Sequence, residues 1–425
     1  MAAPPEPRRK SQVPAGLRQL GPGLITGAAD DDPSGIATYS QAGAQFGNAM
    51  LWTVVFTLPL MVAIQMVSAH IGHVTRRGLS ANIKTLFPRW VLHAVVGMLL
   101  VANTLNIAAD IAAMAEALRL LVGGATQVYA VTFGLACVVL QVFIPYKAYV
   151  RWLKWLTLAL LAYVAVVFSV RLDWWQIARD LVNPHLPVTV SRHDALLMVV
   201  AIFGTTISPY LFFWQAAQEM EDADGPPPDA EETRQNLRRI RNDTLVGMTF
   251  SNLIAFFIIL STAATLHTAG VKDIQTSAQA AEALRPLAGD LTFLLFSIGI
   301  IGTGMLAVPV LAGSAAYAVA EAAGWKGSLS LRLDHNEGRG FYAVIGAATI
   351  GGVLLCFSPV DPVKELFWAA VLNGVIAVPI MVVMMILARS TRIMGQHVIG
   401  GWLRWMGWIA TLAMGATVVA MLLTV

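Results

Sequence analysis

Apolar residues run in unbroken stretches along almost the whole chain, each long enough to cross roughly 30 Å of hydrocarbon. Eleven stretches can be drawn, at roughly 18–47, 49–74, 89–121, 127–145, 149–171, 194–221, 244–266, 291–322, 341–358, 363–388 and 400–424. They are continuous rather than alternating, so the pattern predicts an all-α polytopic membrane protein and excludes a membrane β-barrel. The first, third, sixth and eighth are long enough to be tilted or interrupted. Between the sixth and seventh, the segment 219–243 holds Gly225, Pro226, Pro227, Pro228 and mixed charge, and reads as a flexible connection between two halves.

Composition narrows the class further. The chain has 425 residues, 57% hydrophobic and 12% charged, and no segment that would bury a soluble core. A net charge of +3 spread over loops gives no reason to expect a nucleic-acid partner. Residues 1–17 are polar with a short basic run and no small-residue cleavage site, so they read as a cytosolic tail. Residues 18–425 then form a single transmembrane domain, with one repeat at about 18–171, a second at about 194–388 and a last helix at about 400–424. With the N-terminus inside, 21 of the 28 Lys and Arg residues fall in cytosolic segments and 6 in outer loops, with Arg119 at a span end. That bias predicts a multi-pass protein of the inner (plasma) membrane, N-terminus cytosolic and C-terminus extracytoplasmic. Cys137 and Cys356 both lie in apolar runs and read as packing residues without a disulfide.

Charge inside a membrane span costs several kcal/mol by most estimates and needs a reason. The first span carries Gly27-Ala28-Ala29-Asp30-Asp31-Asp32-Pro33-Ser34-Gly35 near its middle. Successive helical residues lie about 100° apart, so three carboxylates in a row do not share one packed face of a regular helix. Pro33 lacks an N–H, and the flanking glycines weaken the helix. The pattern predicts a break that exposes carbonyls and carboxylates to a cavity, the setting in which broken backbone is tolerated at this depth. The competing reading is a span that starts late, at Pro33, with the aspartates in water as its N-cap.

The sixth span repeats the device with Gly204-Thr205-Thr206-Ile207-Ser208-Pro209-Tyr210. Spans one and six lie five apart and begin two five-helix halves of opposite orientation. Paired interruptions at corresponding places in inverted repeats point to a transporter site at the repeat interface. Weaker signals accompany these. Asn103, Asn106 and Asp110 share one face of span three, either as the lining of an aqueous path or as interhelical hydrogen-bond partners, and Asn373 in span ten is similar. His70 and His73 close span two and read as interfacial histidines rather than metal ligands.

These motifs resemble the Nramp family of divalent-metal transporters, which have a LeuT-like fold. The family's first helix carries Asp-Pro-Gly-Asn, then Ala-Thr, then Gln-Ala-Gly-Ala. This chain has Asp32-Pro33-Ser34-Gly35, Ala37-Thr38 and Gln41-Ala42-Gly43-Ala44, with Gln65, Gly72-His73-Val74-Thr75 and Leu79 in and after the second helix. The resemblance implies a LeuT-like architecture of two inverted five-helix repeats plus an eleventh helix, with helices 1 and 6 broken at mid-membrane. It implies Asp32 as the principal metal ligand and the Thr205 carbonyl as another. The family's asparagine falls at Gly35 and its methionine at Ser208, so the soft ligand that favours transition metals is replaced by oxygen. Asp30 and Asp31 join the candidate set, as attractors near the pocket mouth. An oxygen-lined, roomier pocket suits Mg²⁺, which keeps several waters, and resembles the Nramp-related magnesium transporters. Two family histidines are replaced by Tyr210 and Gln215. The helix-three aspartate tied to proton movement falls at Ile107, with Asp110 one turn on.

The expectation is therefore a monomeric importer of Mg²⁺, and of Mn²⁺ with it, taken as a partly hydrated ion by alternating access without proton coupling. It needs no cofactor beyond the transported ion and no partner beyond the lipid bilayer. The alternatives are a proton-coupled Mn²⁺/Fe²⁺ importer and an organic-solute symporter on the same scaffold, against which the three aspartates weigh. A membrane enzyme would need a zinc motif or paired catalytic aspartates on two helices, and neither is found in the sequence.

Overall fold

The computed structural model describes residues 21–144, 156–185, 190–223, 230–329, 338–357 and 361–424. The expected tail at 1–17 and the start of the fifth span, 149–155, lie outside the described residues. Among the described residues all regular structure is helical, and eight stretches are long and apolar enough to cross a membrane.

The first apolar stretch is two helices, α1 (Pro22–Asp30) and α2 (Pro33–Phe46). The break follows from Pro33, which has no N–H to continue the ladder and pushes the residue before it out of the helical region. Asp32 accordingly sits extended at φ −75°, ψ 169° and becomes the N-cap of α2. Then come α3 (Leu51–Thr75), the short α4 (Leu79–Leu86), α5 (Arg89–Val122), α6 (Thr126–Phe143), α7 (Leu161–Ser169) and α8 (Trp174–Val182). In α8 only Ile177 is buried while Trp174 and Trp175 are exposed, as in a helix lying along an interface.

The sixth stretch breaks in the same way, into α9 (Arg192–Thr206) and α10 (Pro209–Asp222), with Ile207 and Ser208 between them. The series closes with α11 (Ala230–Thr262), α12 (Thr292–Ala323), α13 (Arg339–Leu355), α14 (Pro362–Arg389) and α15 (Gly401–Leu422). The third and eighth stretches, held open above as possible interruptions, are the continuous helices α5 and α12, the latter across an internal Pro309.

The flexible connection expected over 219–243 is a correction. The α10 helix runs on to Asp222 and α11 starts at Ala230, so most of that segment is helical. Apolar patterning missed it because the first turns of α11 are charged and leave the apolar core.

Small residues set the closest helix approaches, as is usual where lipid removes the hydrophobic drive between helices. A Cβ on Gly27 would collide with the Gly247 backbone, and one on Gly204 with the backbones of Ala370 and Gly374. A Cβ on Gly43 would meet Ile259 and Thr262. Helix α11 therefore runs along both halves of the broken first span, while α14 supports α9.

Caps come from distant helices. The N-terminus of α1 has no cap of its own; the Asp243 carboxylate on α11 accepts from Gly21 N–H at 2.9 Å and Gly23 N–H at 2.7 Å. Glu321 on α12 does the same for α4, accepting from Ala81 N–H at 3.1 Å. Near Asp243, Arg239 pairs with Glu219 at the end of α10, at 3.6 Å. The first broken span thus begins on the face where the second one ends, so the two run antiparallel.

Candidate cation site

The two breaks lie side by side. Tyr39 on α2 hydrogen-bonds the Thr206 hydroxyl at 3.0 Å. A Cβ on Gly35 would stand 3.2 Å from Thr205 Oγ1 and 3.4 Å from the Asp30 carbonyl. Tyr210, on the first turn of α10, points its hydroxyl at the Ala29 carbonyl (3.0 Å) and at Asp32 Oδ2 (3.3 Å). One phenolic proton serves only one of these oxygens at a time. Each junction joins a helix C-terminus to a helix N-terminus. The C-terminal ends of α1 and α9 present carbonyl oxygens with partial negative charge, a setting that favours a cation.

Asp32 is 2% exposed, with Oδ1 accepting from Gly35 N–H at 2.7 Å. The late-start reading was right that Asp32 caps a helix, yet water does not surround it. The Ser208 hydroxyl contacts the Gly204 carbonyl at 2.9 Å and the Thr205 carbonyl at 2.8 Å, so Ser208 turns back onto the end of α9. The expected donors Asp32, Thr205, Ser208 and Gly35 are therefore brought to one junction. Among the described residues, the groups at this junction include carboxylate, carbonyl and hydroxyl oxygens.

Asp30 and Asp31 depart from the expectation. They were placed near the pocket mouth, but both are buried, at 1% and 3% exposed. They turn together to Ser251 on α11, whose hydroxyl lies 2.6 Å from Asp30 Oδ2 and 3.0 Å from Asp31 Oδ1. The backbone turn at Asp31 (φ −82°, ψ 53°) aims these two carboxylates one way and Asp32 another.

Asp110 on α5 is fully buried, close enough to Asp32 and to the Ser34 backbone N–H to feel both electrostatically. Neither of its oxygens has a hydrogen-bond partner among the described residues. The rest of its helix face is committed to interhelical bonds. Asn106 and Asn373 exchange amide hydrogen bonds at 3.0 and 3.2 Å, and Asn103 donates to Ser314 and the Leu311 carbonyl. Of the two readings of that face, the structure takes the hydrogen-bonded one for the asparagines and leaves Asp110 aimed at the site. His70 binds the His397 carbonyl at 2.9 Å, and His73 is buried.

A cavity of about 520 Å³ opens on the face opposite Asp243, lined by Gln45, His185, Asp194, His267, Lys272 and Asp273 among others. A smaller one of about 160 Å³ shares Gln45, Asp194 and Asp273 with it and reaches Ala37 and Gln41. Below these, Gln41 closes the way by accepting from Ile274 N–H at 2.9 Å, over a space of about 20 Å³ lined by Ile36, Ala37 and Leu366. On the other face, Gln215 donates to Thr244 (2.9 Å) and receives Gln65 (2.6 Å). Asp32, Thr205 and Ser208 are each 2% exposed or less, and a funnel leads toward them from the Gln45 face.

Sequence reading missed Ser251, Asp243 and the part played by Tyr210. The first two carried a signal: Asp243, Gly247 and Ser251 recur every four residues, a small and polar stripe where the helix passes from its charged start into its apolar part.

A family model described as Nramp, natural resistance-associated macrophage protein-like, matches residues 23–424. The chain is 27% identical over 324 residues to a divalent metal cation transporter MntH of Aeromonas hydrophila, covering 71% of this chain and 73% of that one. It is 27% identical over 297 residues to MntH of Yersinia pestis, covering 68% and 69%. Its fold is similar to that of an Eremococcus coleocola manganese transporter, with a TM-score of 0.75, 17% identity and coverage of 97% and 88%. It is also similar to that of Mhp1, a nucleobase-cation-symport-1 family transporter, with a TM-score of 0.55, 12% identity and coverage of 96% and 92%. The architecture is the LeuT-like one of inverted repeats with broken first and sixth helices, and the chain belongs to the Nramp family.

Proposed function

We propose that this divalent metal cation transporter of the Nramp type imports Mg²⁺, and Mn²⁺ with it, as a partly hydrated ion. Membership of a transporter family removes the membrane-enzyme alternative. The observation that carries the Mg²⁺ reading is the chemistry at the junction of the two breaks. Asp32 supplies one carboxylate, and its neighbours Thr205, Ser208 and Tyr210 offer oxygen. At Gly35 no side chain completes the shell. Such a set suits a hard ion that keeps its own waters and gives a soft ion no sulfur.

In this reading Asp32, the Thr205 carbonyl and the Ser208 hydroxyl hold the ion. The funnel faces the outside, the Asp243 face lies in the cytosol, and the N-terminus is cytosolic as the Lys and Arg bias indicates. Alternating access proceeds by opening one barrier while the other stays closed. The chain works as a monomer, and transport is not coupled to protons. In support, the face of α5 that leads away from Asp110 continues through amides, Asn106 and Asn103, whereas membrane proton relays are chains of Asp, Glu and His.

One observation favours a second reading. Asp110 beside Asp32 is a titratable group where a proton-coupled Mn²⁺/Fe²⁺ importer would need one. Uptake of Mg²⁺, Mn²⁺, Cd²⁺ and Ca²⁺ into proteoliposomes holding only this protein separates the readings. Mg²⁺ entry competed by Mn²⁺, with no preference for Cd²⁺, is expected. Uptake of Mn²⁺ and Cd²⁺ without Mg²⁺ would refute the Mg²⁺ assignment.

A further inference from the structure

Three consecutive carboxylates enter the centre of this molecule, and the structure divides them. Asp32 turns to the N-terminus of α2 and to Tyr210; Asp30 and Asp31 turn to a single hydroxyl, Ser251. We propose that Ser251 is a positioning residue for ion selection: it holds Asp30 and Asp31 off the ion, so that the transported cation meets one carboxylate from this motif. The inference rests on the reading of Asp32 as a ligand of a transported divalent ion.

Ser251 is well placed for that task. It is 1% exposed, and its helix is fastened to α1 on one side of it and to α2 on the other. Asp243 binds the first turn of α1, and Gly247 lies against the Gly27 backbone. Farther along, Thr262 packs at Gly43 of α2. The hydroxyl is thus carried on a helix that packs along both sides of the break. Its single proton serves one carboxylate oxygen at a time, and oxygens of both Asp30 and Asp31 lie within reach of it. The oxygens of Asp30 and Asp31 that face Ser251 are turned away from Asp32 and so stay out of the coordination shell.

The number of carboxylates that touch the ion decides which ion is held. Ca²⁺ accepts six to eight oxygens at about 2.3–2.6 Å in flexible geometry, and further carboxylates suit it. Mg²⁺ demands an octahedron at about 2.0–2.1 Å, retains water and is typically bound through one or two carboxylates. Freed from Ser251, either aspartate can turn toward the junction at Gly35, where the Asp30 carbonyl already lies close. Added carboxylate ligands would strip water from the ion, favour Ca²⁺ and slow release.

The test is Mg²⁺ uptake in proteoliposomes with increasing Ca²⁺ as competitor, on protein that elutes as a single folded species. In Ser251→Ala, Ca²⁺ should inhibit at a concentration at least tenfold lower relative to the KM for Mg²⁺, with a lower maximal rate. Ser251→Thr keeps the hydroxyl and should keep the wild-type ratio. Adding Asp30→Asn to Ser251→Ala should move the ratio part of the way back toward wild type, because one of the two freed carboxylates is gone. Ser251→Cys, a weak donor of similar size, carries the same test if the alanine variant does not insert. A ratio unchanged in Ser251→Ala, with only the amount or maximal rate altered, would mean that Ser251 merely packs α11 against α1 and would overturn the proposal. So would Ser251→Thr behaving as Ser251→Ala. Absence of any divalent uptake by the wild type would overturn the transport reading itself, and this inference with it.

Discussion

The phenolic oxygen of Tyr210 lies 3.3 Å from the carboxylate of Asp32 and 3.0 Å from the Ala29 carbonyl, spanning the first break from the second. It occupies the position of a positive partner for two oxygens that have few others. It satisfies them in part, and under the proposed function an arriving cation takes over that role.

Tyr210→Phe removes the donor and leaves two buried oxygens in need of one. Loss of a partner for a buried acceptor costs about 1–3 kcal/mol. The metal-free variant should therefore melt at a lower temperature than wild type, and added Mg²⁺ should restore more of the difference than it adds to wild type. Thermal unfolding in detergent with and without Mg²⁺ measures this. A variant equally destabilised at all Mg²⁺ concentrations would show that the hydroxyl only packs the junction.

The contact between Gly27 and Gly247 leaves no room for a side chain on either residue. Gly27→Ala should cost about 1–3 kcal/mol through overpacking of two helix backbones. Gly97 on α5 has nothing within 4 Å of where a Cβ would stand. There the same substitution should be neutral or stabilising by up to about 1 kcal/mol, from helix propensity alone. Paired melting curves compare the two.

Asp243→Ala takes the cap from the first turn of α1. Losing an N-cap carboxylate costs about 0.5–2 kcal/mol, and the effect should stay local. Hydrogen exchange should speed up in the first turn of α1 and remain as in wild type in α2, which keeps its own cap at Asp32. Uniform acceleration over both helices would contradict a separate role for the cap.

Transport without proton coupling predicts that Mg²⁺ entry is driven by its gradient and by the membrane potential, worth about 2.3 kcal/mol per charge per 100 mV and twice that for a divalent ion. Liposomes holding a pH dye, under a clamped potential and an inward Mg²⁺ gradient, should show uptake without acidification. Acidification in step with Mg²⁺ entry, abolished by Asp110→Asn, would establish coupling through Asp110.

Much of this was legible in the sequence because its causes are local. Pro33 and Pro209 break their helices beside glycine and polar neighbours, whereas Pro59, Pro309 and Pro379 in apolar surroundings lie within continuous helices, and the apolar runs mark the spans. The direction of each aspartate was not legible. Asp30, Asp31 and Asp32 look alike in the sequence, and a turn at Asp31 together with Ser251, some 220 residues away, sends two of them elsewhere. The helical start of α11 escaped notice for a similar reason. Hydropathy marks the membrane-spanning portion, whereas Asp243 serves a helix end distant in sequence.

The central claim is a hard-ion site built on Asp32. Calorimetric titration of purified wild type and Asp32→Ala with Mg²⁺, Mn²⁺ and Cd²⁺ tests it most directly. Wild type should bind Mg²⁺ and Mn²⁺ in mutual competition and Cd²⁺ no more tightly, and Asp32→Ala, still folded and inserted, should bind none of them. Cd²⁺ bound far more tightly than Mg²⁺ by wild type, or Mg²⁺ binding undiminished in Asp32→Ala, would contradict it.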